Sequence, residues 1–227
     1  MESARRALLL REMDLSPVWR LRTGDGRGER PGSGVVEPAP GSTALPQTVA
    51  PGRVETSAML EQDDRAVGIL NMDWPRLKEA VSGCRSCELC KTRTNTVFGV
   101  GDEQADWLLV GEAPGAEEAA RGEPFVGQAG RLLDNMLASI ELKRGVNVYI
   151  ANVLKCRPPG NRNPGPAEVA KCSPYLQRQI QLIQPKLIIA MGRFAAQALL
   201  ETGATIGSLR GKLHRYRGVP LIVTYHP

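Results

Sequence analysis

The chain has 227 residues, with 29 Lys and Arg against 24 Asp and Glu and a net charge of +5. No apolar run approaches the roughly 18 residues of a membrane span, and the ALLL near the start is too short for the apolar core of a signal peptide. A cytoplasmic protein without a membrane partner is expected, and there the five cysteines serve metal binding, catalysis or plain burial in preference to disulfides.

Composition divides the chain. Residues 1 to 70 hold nine arginines, ten acids and no lysine, and Pro, Gly, Ser and Thr crowd between Gly24 and Ser57. Such a stretch buries too little apolar surface to offset its ordering entropy, so residues 1–71 are expected to form a low-complexity, largely disordered N-terminal extension. Short amphipathic turns at Ala4 to Met13 and Ala58 to Leu70 are the exceptions. The remaining 20 basic and 14 acidic residues, net +6, lie between 71 and 227. The folded part is therefore the basic part, which suits a phosphate-rich partner.

From Asp73 the pattern becomes regular. Asp73 as N-cap, Pro75 in the first turn and Leu77, Ala80 and Val81 on one face predict a helix ending near Gly83. Next comes Cys84-Arg-Ser-Cys87-Glu-Leu-Cys90. Strand-like runs at Leu108 to Val110, Val148 to Val153, Leu187 to Met191 and Leu221 to Thr224 then alternate with helix-like runs. Those helical runs are Arg131 to Ile140, Pro166 to Ile183 and Phe194 to Glu201. The alternation predicts an α/β fold with a central parallel four-stranded sheet covered by helices on both faces.

In open α/β sheets, ligands bind beyond the carboxyl ends of the strands. Those ends are Glu112, Asn152, Gly192 and His226, so three functional side chains from distant parts of the chain converge on one rim. The stretch from Trp107 to Gly130, WLLVGEAPGAEEAARGEPFVGQAG, brings a Gly-rich turn to the same rim, with several carboxylates and with Phe125 between Pro124 and Val126. Taken singly these residues have plainer uses, since an Asn after a strand is commonly a turn-former and a Phe is commonly core. His214 reads as a strand or surface residue.

Cys84 and Cys87 form a C-x-x-C pair, while Cys156 ends a strand and Cys172 lies on the following helix. Two pairs of soft ligands suit tetrahedral zinc or an iron–sulfur cluster. Spacing does not choose between these metals, and Cys90 keeps the ligand set open. A centre here would tie the helix before the sheet to the loop after its second strand, so its binding free energy becomes folding free energy. The enclosed loop, RPPGNRNPGPAEVAK, carries Arg157 and Arg162 and has the composition of a phosphate cradle.

Six blocks together resemble a known family. They are GEAPG at 111–115, EPFVGQAG at 123–130, YIANVLKCRPPGNRNP at 149–164, the helix with Cys172, LRG at 209–211 and TYHP at 224–227. Over about residues 72–227 the chain resembles the family 4 uracil-DNA glycosylases, the iron–sulfur members of their superfamily. The resemblance implies a three-layer glycosylase domain over 72–227 and a [4Fe–4S] cluster on Cys84, Cys87, Cys156 and Cys172, with Cys90 spare. It further implies a monomeric base-excision enzyme that hydrolyses the N-glycosidic bond of uracil in single- or double-stranded DNA.

The resemblance also distributes roles. Phe125 stacks on an extruded base, a contribution of roughly 1–3 kcal/mol. Asn152 reads uracil N3–H and O4, and His226 donates to O2 as the leaving uracil becomes anionic, at roughly 3 kcal/mol. Glu112 and Glu118 are the candidates for the carboxylate that positions water or stabilises the sugar cation, and Gly111, Ala113 and Gly115 border the base. Ala113 stands where other branches have aspartate, and Gly115 where other branches set a tyrosine against the thymine methyl. A branch that bonds covalently to DNA has a histidine in the loop after Cys156; none occurs here, so turnover is expected. Family members continue past the His-Pro with an apolar loop and a helix, so a chain ending at Pro227 is expected to be truncated and weakly active. The competing expectation is a non-catalytic iron–sulfur module that binds DNA or a polymerase, which needs no convergence of Glu112, Asn152 and His226.

Overall fold

The computed structural model describes residues 64–227. The turn read at Ala4 to Met13 and the linker at Gly24 to Ser57 lie outside the described residues. Helix α1 (Trp74–Ser82) begins as its sequence dictates, with Asp73 Oδ1 accepting from the Arg76 amide at 3.0 Å and Leu77 and Val81 buried. Residues 64–70 are helical as well. Ile69 packs against Leu77, Val81 and Tyr175, and Arg65 donates to the Lys171 carbonyl at 3.0 Å. Packing thus begins ahead of residue 72, because Ile69 finds a groove between α1 and a later helix that an average over residues 1–71 conceals.

The sheet has six strands: β1 (Val100–Gly101), β2 (Trp107–Gly111), β3 (Val148–Asn152), β4 (Leu187–Met191), β5 (Leu213–Tyr216) and β6 (Val219–Thr224). Their order is β1-β3-β2-β4-β6-β5. The four inner strands pair in parallel, while β1 and β5 lie antiparallel at the two edges. The central four parallel strands are those expected, and two antiparallel edge strands extend the sheet from four to six. β1 is two residues long and β5 reads LHRY, so neither offers the apolar run by which a buried parallel strand is recognised.

Five helices join α1: α2 (Ala116–Arg121), α3 (Gln128–Ala138), α4 (Pro166–Ile183), α5 (Arg193–Leu200) and α6 (Ile206–Leu209). Along the inner strands alternate side chains enter opposite cores, as the two-residue period of a strand requires. Leu108, Val110, Tyr149 and Ala151 meet Ile180 of α4 and Ala195 of α5 on one face. Leu109, Val148 and Ile150 meet Leu133 and Leu137 of α3 on the other. The result is a three-layer sandwich. Among the described residues no helix is long and apolar enough to cross a membrane.

Candidate active site

Register decides what shares the rim. Gly111 pairs with Asn152, and Met191 pairs with Thr224, so Glu112, Asn152, Gly192 and His226 leave the sheet at one level. Glu112, Phe125, Asn152 and His226 line a pocket of about 260 Å³ there, together with Gly115 and Glu118. That is below the roughly 300–1,000 Å³ of sites that take drug-sized ligands. A single heterocycle fits its scale.

Gly111 is the floor. A Cβ at this position would collide with Asn152 Oδ1 and would lie 2.6 Å from Phe125 Cζ. Phe125 is 5% exposed and has φ 55°, a left-handed conformation unusual for a bulky residue. Its backbone is held from two sides. Arg144 donates to the Pro124 carbonyl at 2.8 Å and to the Phe125 carbonyl at 2.7 Å, and Gly130 has no Cβ, which would otherwise strike the Phe125 carbonyl. The ring packs in the α3-side core and stacks on His226 with 5.3 Å between centroids. Phe125 is thus a core residue and a pocket wall at once.

The two glutamates differ. The Glu118 carboxylate accepts from the amides of Gly115, Val126 and Gly127 at 3.1, 3.0 and 3.1 Å, so it is committed to shaping the loop. Glu118→Ala removes the acceptor for three amides, and a stability loss of about 2 kcal/mol is expected, measured by urea unfolding. Glu112 sits where the backbone carbonyls of Gly111 and Glu112 accept from Val153 and Leu154 at 3.0 Å, extending the β2–β3 ladder past the strand ends. Burial raises the Glu112 pKa, and the charges of His226 and Arg193 reverse that only in part.

Asn152 is 2% exposed, and its Oδ1 is the one buried side-chain polar atom without a partner among the described residues. An orphaned acceptor of this kind costs roughly 1–3 kcal/mol, and a ligand donor would relieve it. Gly192, with φ 92°, gives His226 its space: a Cβ there would come within 3.3 Å of the His226 Cβ. His214 is structural, its Nε2 bonded to the Leu209 carbonyl at 2.8 Å. Asn161 also lines the pocket, anchored by Arg157, whose Nε donates to Asn161 Oδ1 at 2.7 Å. Sequence reasoning missed it because Asn beside Gly and Pro reads as turn chemistry. Arg162 is bound by Glu168, with Nη1 to Oε2 at 2.9 Å, so this guanidinium fastens the start of α4.

None of the five cysteines forms a disulfide, and all five line one cavity on the α1 side of the domain. Among the described residues no three Cys, His, Asp or Glu side chains are already set to hold a single metal ion; the thiols surround a space. Cationic groups and amides face them. Arg93 donates to Cys156 Sγ at 3.4 Å and to the Cys84 carbonyl at 2.7 Å, and the Lys155 amide donates to Cys172 Sγ at 3.3 Å. Burial pushes the Cys172 thiol up to about 12; at Cys84 burial is outweighed by Tyr175, Ser86 and Arg65, and the net shift is downward. Soft donors ringed by positive charge fit a thiolate-bound metal group.

Fold and rim together define an α/β protein whose ligand site lies beyond the carboxyl ends of its parallel strands. The chain belongs to the uracil DNA glycosylase superfamily, whose family profile matches residues 98–227. It is 51% identical over 155 residues to the type-4 uracil-DNA glycosylase of Archaeoglobus fulgidus, covering 65% of this chain and 77% of that one. It is 44% identical over 164 residues to the type-4 enzyme of Pyrobaculum aerophilum, covering 69% and 83%. The type-4 enzyme of Sulfurisphaera tokodaii is 44% identical over 160 residues, covering 67% and 73%.

Proposed function

We propose that the chain is a monomeric DNA base-excision glycosylase that hydrolyses the N-glycosidic bond of uracil, in single- or double-stranded DNA, and leaves an abasic site. One observation carries the reading: a buried, unpartnered carboxamide oxygen beside an aromatic face, in a pocket sized for one heterocycle. Uracil offers an N3–H to Asn152 Oδ1 and an O4 acceptor to its Nδ2. Cytosine offers the reverse and would leave both groups unpaired, which is how a built hydrogen-bonding site rejects the wrong ligand.

The base stacks on Phe125. It does not enter between Phe125 and His226, because two ring contacts of roughly 3.5 Å each exceed their 5.3 Å separation. His226 therefore moves to the edge of the base, where its imidazole donates to O2 as negative charge develops. This supplies an oxyanion-type stabilisation of roughly 3 kcal/mol. Glu112, in its ionised form, holds the attacking water or faces the sugar cation, while Glu118 keeps the loop in shape. Because burial raises the Glu112 pKa, its ionisation weakens the fold above the ordinary carboxylate range, and activity falls on the acid side at a higher pH than an exposed glutamate would give. Glu112→Gln is expected to lower kcat by about 10²-fold or more and to raise the melting temperature at neutral pH, since it removes the ionisation cost. Calorimetry and a pH–rate profile check both signs.

Cys84, Cys87, Cys156 and Cys172 would hold a [4Fe–4S] cluster, with Cys90 spare. All of these thiols line one cavity, and four soft donors suit an iron–sulfur cluster, with tetrahedral zinc as the alternative that metal analysis tests. When bound, the group contributes cross-linking, holding α1 to the segment between β3 and α4. The function is tested with single-stranded DNA carrying one uracil. Alkali-labile cleavage at that base, and none at cytosine or thymine, is the expected result; tight binding without product would establish a non-catalytic module instead.

A further inference from the structure

Lys155 is buried to 1% exposure, and the chemistry above gives it no task. Its Nζ donates to the Asn152 backbone carbonyl at 2.9 Å and to Gln179 Oε1 at 2.6 Å. Gln179, on α4 and 0% exposed, spends its own Nε2 on the Phe98 carbonyl at 2.9 Å and the Tyr149 hydroxyl at 3.4 Å. The Lys155 amide meets Cys172 Sγ at 3.3 Å. One residue thus bonds the end of β3, the interior face of α4 and a cysteine thiol.

A buried ammonium is an expensive way to fill space, because desolvation costs several kcal/mol and an apolar side chain of similar volume avoids it. No carboxylate forms a salt bridge with Lys155 among the described residues. What the amine supplies is a donor where the sheet has none. The Val153 amide turns to β2, donating to Gly111, so the Asn152 carbonyl turns to the opposite side, toward β1. There β1 pairs with β3 only at Tyr149 and Ile150. Beyond the last rung, Lys155 takes the place of a strand.

We propose that Lys155, braced by Gln179, is a positioning residue that holds the main chain of Asn152, so that its carboxamide meets the base in one orientation. Through its amide bond to Cys172 it ties that alignment to the cysteine centre. The inference rests on reading Asn152 as the base-recognising residue. Neither Lys155 nor Gln179 touches the substrate.

Three variants test it. Lys155→Met leaves the Gln179 acceptor unpaired; Gln179→Leu removes the brace but keeps the bond to Asn152; the double variant removes both partners of the Lys155–Gln179 bond and leaves the Asn152 and Phe98 carbonyls without their donors. In Lys155→Met and in the double variant, kcat/KM for uracil release is expected to fall about 10- to 100-fold. The melting temperature should drop in Lys155→Met and recover in part in the double variant, whereas Gln179→Leu should lose stability and keep more of its kcat/KM than Lys155→Met, because Lys155 still holds Asn152. A double variant that regains wild-type kcat/KM along with its stability would overturn the proposal and leave Lys155 as core filling. If Lys155→Met does not fold, the double variant carries the comparison. Affinity for single-stranded DNA containing a non-hydrolysable 2′-fluoro uracil nucleotide supplies a readout without turnover: weaker binding by the double variant supports the proposal, and unchanged binding sinks it. Wild-type protein that binds this DNA but releases no uracil would refute the glycosylase reading, and the binding comparison would still decide the role of Lys155.

Discussion

Asn152→Ala is expected to reduce uracil release from single-stranded DNA by about a thousandfold, equivalent to roughly 4 kcal/mol of transition-state stabilisation. The carboxamide would make two hydrogen bonds to the base inside a dry pocket, and the one from Nδ2–H to O4 strengthens as uracil accumulates charge. Stability should change little or rise, because the substitution also deletes the buried, unpartnered Oδ1. A loss of rate without a loss of melting temperature therefore separates recognition from folding. Asn152→Asp sharpens the test: it exchanges the donor for a second acceptor, so preference should tilt from uracil toward cytosine, measured as the ratio of release rates. Equal rates for Asn152→Ala and wild type would remove Asn152 from the mechanism.

The second large effect belongs to the cysteine cavity. Structural metal centres contribute on the order of 10 kcal/mol to folding, comparable to the roughly 5–15 kcal/mol total stability of a domain. Cys172→Ser is expected to abolish the visible absorbance of the purified protein and to yield chains that melt more than about 10 °C lower or do not fold. Cys90→Ser should keep both colour and melting temperature. Iron and sulfide counted per chain identify the group directly; a colourless protein with one zinc per chain would replace the cluster by zinc.

The parallel core was legible because its four strands are apolar runs ending at chemically distinct residues, and a buried parallel strand has no other use for such a run. The edges were not. β1 is two residues long, and β5 exposes Leu213 and presents His214 and Arg215 to its surroundings, so each is a strand only because a neighbour supplies hydrogen bonds. The rim was legible for the same reason as the core, since Glu112, Asn152 and His226 stand within two residues of the carboxyl ends of strands. The difference between Glu112 and Glu118 was not legible: nothing in AEEAAR reveals that the Glu118 carboxylate collects three backbone donors, one from Gly115 and two from a loop eight or nine residues away. Lys155 was hidden more deeply, because a lysine beside a cysteine in a Pro- and Asn-rich loop suggests solvent, and only the packing of α4 over β3 turns it inward. The element carrying Ile69 was legible as an amphipathic turn within Ala58 to Leu70; hidden was the groove between α1 and α4 that receives it.

The backbone around Phe125 is fixed without reference to its side chain: two carbonyls are clasped by Arg144, and Gly130 leaves room for a left-handed turn. The ring, however, packs among Leu109, Leu133 and Leu137, so the pocket wall and the core draw on one side chain: a change at position 125 that reshapes what the pocket accepts also reopens the core, and substrate preference and stability move together.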